Sequence, residues 1–80
     1  MFYYLIKYSF DPEKRVVGPF DTEETAWNKA ATDAKREVKI SREEGGTDTD
    51  IVFNRTCNEI TIIDHYPTGD DTTDYIVFKV

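Results

Sequence analysis

Residues 21–46 read DTEETAWNKAATDAKREVKISREEGG, and this stretch decides the fold. Its apolar residues recur at spacings of three and four, which places them on one side of a helix. They are Trp27, Ala30, Ala34 and Val38, with Ala26 and Ala31 at the edges of the same stripe. We predict a helix over residues 21–44 whose stripe packs into a core, with Trp27 as its one large buried wedge, and not a cofactor site.

Both ends of this helix carry signals. Asp21 or Thr22 can cap the first turn, and with Asp21 as the cap Glu24 completes a capping box. Gly45, which has no Cβ, is the predicted stop. A helix of this span is ~34 Å long at 1.5 Å per residue, whereas a seven-residue strand covers only ~23 Å. Residues 40–44 are therefore expected to overhang the sheet, fray, or contact something else.

The rest of the chain has the patterns of strands and turns. Strands are predicted over residues 2–10, 16–17, 51–55, 60–66 and 75–80, with a polar loop at 45–50 and a turn segment at 67–73. The first strand is apolar on both faces at its start, which favours an interior position. The second is expected at an edge because Pro19 has no N–H for a central ladder.

The element order ββαβββ predicts one α+β domain over residues 1–80. Its two layers are a sheet of about five mainly antiparallel strands and one long helix on one face. One helix cannot cover both faces of such a sheet, so the far face is solvated, capped by loops, or used as an interface. The candidates for that face are Tyr3, Leu5, Ile63, His65, Tyr75 and Val77, but the register that assigns them is not fixed by the sequence.

Charge and composition exclude several function classes. The net charge is −6, and residues 45–80 hold two basic side chains against seven acidic ones. Phosphate backbones repel such a surface, so nucleic-acid binding is disfavoured. The single cysteine, Cys57, rules out an internal disulfide framework and fits the reducing cytoplasm. The N-terminus lacks the features of a signal peptide, and no apolar run is long enough to span a membrane.

No signature of an enzyme is present. The chain has one histidine, His65, and one cysteine, Cys57, and nothing in the sequence supports their forming a nucleophile–base pair. The aspartate-rich segments 48–50 and 70–74 lack the closing glutamate of a calcium loop, and the Gly45-Gly46 pair follows a helix instead of preceding one. We therefore predict a protein that is not an enzyme and that has no cofactor and no metal.

Two surfaces are candidates for binding. The first is acidic and comprises the predicted partner-binding residues Asp64, Tyr66, Asp70, Asp71, Asp74 and Tyr75. The second is a basic strip on the helix, formed by Lys29, Lys35, Arg36, Lys39 and Arg42. The strip is more simply interpreted as a solvated face with i,i+4 pairs of Lys29 with Asp33 and Lys39 with Glu43.

The first hypothesis is a small acidic cytoplasmic module that binds another protein through its acidic or uncovered sheet surface, of the kind that bacteria or phages use as inhibitors and adaptors. The alternative is a binder of a small ligand or a nucleic acid through the basic strip. The open sheet face, or the edge at the second strand, also predicts a homodimer. The identity of the partner, the pathway and the source organism are not encoded in these patterns.

Overall fold

The computed structural model describes residues 1–45 and 48–80. Within those ranges the elements are strands β1 (Phe2–Tyr8) and β2 (Lys14–Phe20), helix α1 (Glu23–Gly45), and strands β3 (Asp48–Asn54), β4 (Glu59–Tyr66) and β5 (Gly69–Lys79). The strands form one antiparallel sheet in the order β2-β1-β5-β4-β3. The predicted two-layer α+β fold with the order ββαβββ is confirmed.

The sheet confirms an interior β1 and an edge β2, but several predicted strand boundaries are wrong. Strand β1 ends at Tyr8 instead of residue 10, and β2 starts at Lys14 instead of residue 16. Strand β2 does not end before Gly18-Pro19; it continues to Phe20, which pairs with Phe2 after a shift of register. An edge strand tolerates proline because one side of its backbone needs no ladder partner.

The predicted turn segment 67–73 is also wrong, because β5 begins at Gly69 and is the longest strand, with 11 residues. Thr72 and Thr73 pair with Ile63 and Ile62 across the β4–β5 ladder. The aspartates in this segment indicated a turn, but threonines suit a pleated surface and the ladder decides.

Helix α1 begins at Glu23, and its cap is Thr22. The backbone N–H of Thr25 donates to Thr22 Oγ1 at 3.1 Å, so the predicted box of Asp21 and Glu24 is wrong. The helix includes Gly45, the predicted stop, as its last residue. The predicted loop over 45–50 is shorter than expected because β3 starts at Asp48; residues 46 and 47 of that loop lie outside the described residues.

The core lies between the helix and one face of the sheet. Its buried apolar side chains from the sheet are Tyr4, Ile6, Ile60, Ile62, Tyr75 and Val77, and those from the helix are Ala26, Ala30, Ala34 and Val38. These four helical positions are spaced by four, so they form one ridge of small residues along the axis. A ridge of this kind brings the helix axis close to the strands.

Trp27 is a correction to the predicted stripe. It lies beside the ridge, is only half-buried, and packs edge-on against Phe53 with the ring centroids 6.5 Å apart. The buried helical side chains are the smaller ones of the ridge instead, so the predicted buried wedge is wrong. The end of the helix does contact something else, because Arg42 Nη2 donates to the carbonyl oxygen of Thr49 at 2.9 Å.

The register assigns the two faces of the sheet. The face that carries Tyr4 and Tyr75 packs against the helix, whereas no element of the described residues covers the other, which we call the uncovered face. Tyr3, Leu5, Ile63 and His65 lie there as expected. Tyr75 and Val77 do not: they are 2% and 5% exposed in the core, so their predicted position on the far face is wrong.

Candidate functional site

Apolar side chains form a contiguous group on the uncovered face. Leu5 lies directly opposite Val16 on one side and Ile76 on the other, and side chains at opposed positions share a face. Tyr3 lies opposite Phe78, and their rings stack with centroids 5.7 Å apart. We call these five residues of β2, β1 and β5 the apolar cluster; Val16 is its most exposed described member, at 58%.

Carboxylates lie on one side of this cluster, on strands β5, β4 and β3 of the same face. The register places five of them there: Asp48, Asp50, Glu59, Asp70 and Asp74. Glu59 lies directly opposite Ile76, and Asp74 lies opposite Lys7, at the border of the cluster. Lys7 and Lys14 are the lysines that the register assigns to this face. The uncovered face therefore has an apolar part and, beside it, an acidic part.

His65 lies among these carboxylates, away from the apolar cluster. Its Nδ1 is 2.9 Å from Asp70 Oδ1, and its Nε2 is 2.9 Å from Asp50 Oδ2. The hydrogen bonds to Asp50 and then to Asp70 raise the pKa of His65, because both ring nitrogens donate only in the charged form. Among the residues the structure describes, no group of three or more His, Cys, Asp or Glu side chains is arranged to hold a metal ion.

The predicted acidic partner-binding residues are divided between the two faces. Asp70 and Asp74 lie on the uncovered face. Asp64 and Asp71, which oppose each other, lie on the helix-side face with Tyr66, and Asp64 Oδ1 accepts a hydrogen bond from Thr49 Oγ1. Tyr75 is in the core, so the expectation that it belongs to an exposed binding surface is wrong. Side chains alternate between the two faces along β5, and Thr73, Tyr75 and Val77 all point toward the helix.

The predicted basic strip is also divided. Lys29 Nζ and Arg36 Nη1 lie 3.2 Å and 3.7 Å from Asp33 Oδ1, so the predicted pair of Lys29 with Asp33 is present. On the other flank, Lys35, Lys39 and Arg42 line a separate depression beside Ile51. No ion pair of Lys39 with Glu43 occurs within the described ranges. Binding of a nucleic acid along one continuous strip therefore has no support in this geometry.

A cavity of about 370 Å³ opens between the helix and strands β1 and β2. Its sheet wall carries three tyrosines, Tyr4, Tyr8 and Tyr75, together with Arg15 of β2, and its helix wall carries Asp33 and Glu37. The sequence did not reveal this group. Arg15 stands two residues before Val17, whose apolar side chain packs on the core. Residues two apart in a strand share a face, so this spacing is the sequence signal that places Arg15 on the helix side.

One wall of the cavity is fixed by the Asp33 carboxylate. The Tyr4 hydroxyl donates to Asp33 Oδ2, while Lys29 and Arg36 face Oδ1. Burial opposes ionisation of Asp33, but the hydrogen bond from Tyr4 and the nearby Lys29 and Arg36 cations outweigh it and lower the pKa of Asp33. Burial, followed by the bond to Asp33, raises the pKa of Tyr4. Asp33 is thus ionised and Tyr4 neutral at physiological pH.

Cys57 and His65 do not form a catalytic pair. Cys57 is exposed in the turn before β4, and His65 lies near the far end of that strand. The part of β4 from Glu59 to His65 alone spans roughly 20 Å. No helix within the described residues is both long enough and apolar enough to cross a membrane.

Comparison of the chain with protein-family models, with curated proteins and with solved structures finds no match.

Proposed function

We propose that the protein binds another protein through the uncovered face of its sheet, and that the partner presents an apolar surface bordered by basic side chains. The observation that carries the proposal is the apolar cluster, which lies next to carboxylates and under no other element of the described residues. The protein would act as an adaptor or inhibitor and not as an enzyme.

The apolar part of the surface supplies the binding energy. Contiguous exposed apolar surface bordered by polar residues is typical of interaction sites. The stacked rings of Tyr3 and Phe78 are large and rigid, and aromatic side chains dominate the energetic centres of protein interfaces. Leu5 lies between Val16 and Ile76, so it would be the residue most completely buried by a partner.

The charge of the acidic part of the uncovered face selects the partner. Five carboxylates against two lysines on this face, and a net charge of −6 for the chain, attract a basic surface and accelerate its encounter. A second copy would bring the same carboxylates together, so we favour a basic heterologous partner over the homodimer that the open face also predicts. The exposed, unpaired thiol of Cys57 suits a reducing compartment, and we place this interaction in the cytoplasm.

Site-specific photo-crosslinking tests the proposal in the cell that makes the protein. A benzophenone amino acid replaces Val16, which is exposed within the apolar cluster, and in a matched variant replaces Thr32, which is exposed on the helix. We expect the Val16 position to capture one basic protein that the Thr32 position does not capture. Equal capture from both positions, or capture of only a second copy of the chain, would refute a heterologous partner on this face.

Calorimetry with the captured protein, once purified, gives the second half of the test. Leu5→Ala and Phe78→Ala should each weaken binding by about tenfold or more. Val52→Ala is the matched control, because Val52 is an exposed apolar residue of the same face outside the cluster. Affinity should fall as salt rises. Equal losses in all three variants, or affinity independent of salt, would contradict the assigned surface.

A further inference from the structure

We propose that the cavity between helix α1 and strands β1 and β2 is a binding site for a small zwitterion of the amino-acid class. This site is separate from the uncovered face, since it lies on the opposite side of the sheet. The cavity volume of about 370 Å³ falls in the range of small-molecule sites, roughly 300 to 1,000 Å³.

The hydroxyl of Tyr75 is the first observation. Tyr75 is 2% exposed and lines the cavity, yet its hydroxyl makes no hydrogen bond to any part of the chain that the structure describes. By contrast, the neighbouring Tyr4 hydroxyl is satisfied by Asp33. Because Tyr75 lines the cavity, its unpaired hydroxyl is a donor that a ligand bound there can use. Burial, followed by the negative charge of Glu37, raises the pKa of Tyr75, so its proton is retained for donation.

Charged groups of both signs are the second observation. Arg15 on the sheet wall and Glu37 on the helix wall lie outside every ion pair found in the described residues, whereas Lys29 and Arg36 are both taken up by Asp33. An ammonium group is matched by Glu37, and a carboxylate is matched by the planar guanidinium of Arg15.

The floor of the cavity provides the third element of recognition. Ile6, Val17 and Ile62 give it an apolar surface, and the rings of Tyr8 and Tyr75 border it. A ligand with an apolar side chain fills this space, while its charged groups remain with Arg15 and Glu37. The ring of Tyr75 contributes to the wall, and its hydroxyl donates to the ligand carboxylate.

Titration followed by backbone amide NMR tests the site. Each common L-amino acid is added in turn to the full chain, and phenylalanine is compared with 3-phenylpropionate, which lacks the amine, and with phenethylamine, which lacks the carboxylate. We expect an apolar amino acid to shift the amides of Ile6, Arg15 and Glu37 and to leave those of the apolar cluster unchanged. Absence of such shifts with every amino acid would overturn the proposal. Equal binding of both one-charge analogues would overturn the zwitterion class.

Variants then assign the contacts. Tyr75→Phe should weaken binding by about tenfold and keep the fold, because it removes only the unpaired hydroxyl. Tyr3→Phe, on the uncovered face, is the matched control and should leave the affinity unchanged. Arg15→Gln should remove the preference for phenylalanine over phenethylamine, which lacks the carboxylate. Glu37→Gln should remove the preference for phenylalanine over 3-phenylpropionate, which lacks the amine. Unchanged affinity in both Tyr75→Phe and Arg15→Gln would show that the ligand lies elsewhere and overturn the assignment.

Discussion

Replacement of Gly18 by alanine should destabilise the protein because of a close approach between strand β2 and the ring of Tyr3. Gly18 has a φ of +148°, and a Cβ at that position would lie 2.7 Å from Tyr3 Cδ1 and 3.1 Å from the Phe2 carbonyl oxygen. A separation under 3.0 Å is one that real Cβ atoms essentially never show. Either the ring, which belongs to the apolar cluster, or the backbone of β1 must move.

Gly69 provides the matched control. Its φ of +142° is nearly the same, but a Cβ there would meet nothing within 4 Å. Both alanine variants therefore lose about 1 to 3 kcal/mol of unfolding free energy to backbone strain. Only Gly18→Ala adds the steric conflict, which costs about another 1 to 3 kcal/mol. This is a large share of the roughly 4 to 12 kcal/mol expected for a domain of this size.

Urea unfolding followed by far-ultraviolet circular dichroism measures both variants. We expect Gly18→Ala to be the less stable by about 1 to 3 kcal/mol. The cost of Gly18→Ala should be smaller by about 1 to 3 kcal/mol when it is measured in a Tyr3→Ala background, because truncation of Tyr3 removes the atoms that conflict. Equal stability of Gly18→Ala and Gly69→Ala, or the same cost of Gly18→Ala with and without the Tyr3 ring, would refute the claim that Tyr3 rests directly on Gly18.

Three further predictions concern the cap and the titrating groups. Thr22→Ala should lower the unfolding free energy by about 1 kcal/mol and Asp21→Ala by much less, as measured by urea unfolding; equal effects would contradict the assigned cap. Because the pKa of His65 is raised in the folded state, its contribution to stability is full below its usual value of 6.5 and is lost as pH rises through the folded value. Unfolding at several pH values should show this loss, and His65→Asn should lack it. Folding also raises the pKa of Tyr4 and Tyr75, so stability should fall as pH rises above about 10; a flat alkaline profile by the same assay would contradict their burial.

Much of the fold follows from local patterns in the sequence. The helix, the order of elements, the interior position of β1 and the edge position of β2 are all consequences of periodicity and of one proline. The errors occur where two local signals compete. At the start of β5, aspartates that are typical of turns stand beside threonines that are typical of strands, and the pairing with β4 decides the outcome. At the start of the helix, Asp21 and Thr22 are both good caps by residue type, and it is Thr22 Oγ1 that accepts from the N–H of Thr25.

The candidate sites were less predictable because they depend on register. His65 meets Asp50, 15 residues away, only because β3 and β4 pair with that particular alignment. Tyr75 belongs to the core and not to the acidic surface, since the inward face of β5 is the one that carries Thr73 and Val77. Each strand has apolar residues on both faces, so the sequence alone does not identify the inward face.

The two proposed sites have one physical origin, which is that one helix is the only cover of the sheet within the described residues. Five strands about 4.8 Å apart form a layer roughly 20 Å wide, whereas a helix with its side chains is about 10 Å across. Both ends of α1 are held toward β3, because Arg55 Nη1 donates to Glu23 Oε1 at 2.8 Å and Arg42 donates to Thr49. The part of the helix-side face that remains open therefore lies over β1 and β2, where Arg15 lines the cavity. The apolar cluster is exposed because no element of the described residues covers the opposite face of the sheet. A ligand in the cavity need not alter that cluster, because the two lie on opposite faces of the sheet. The ligand site and the protein-binding surface are therefore tested by separate measurements.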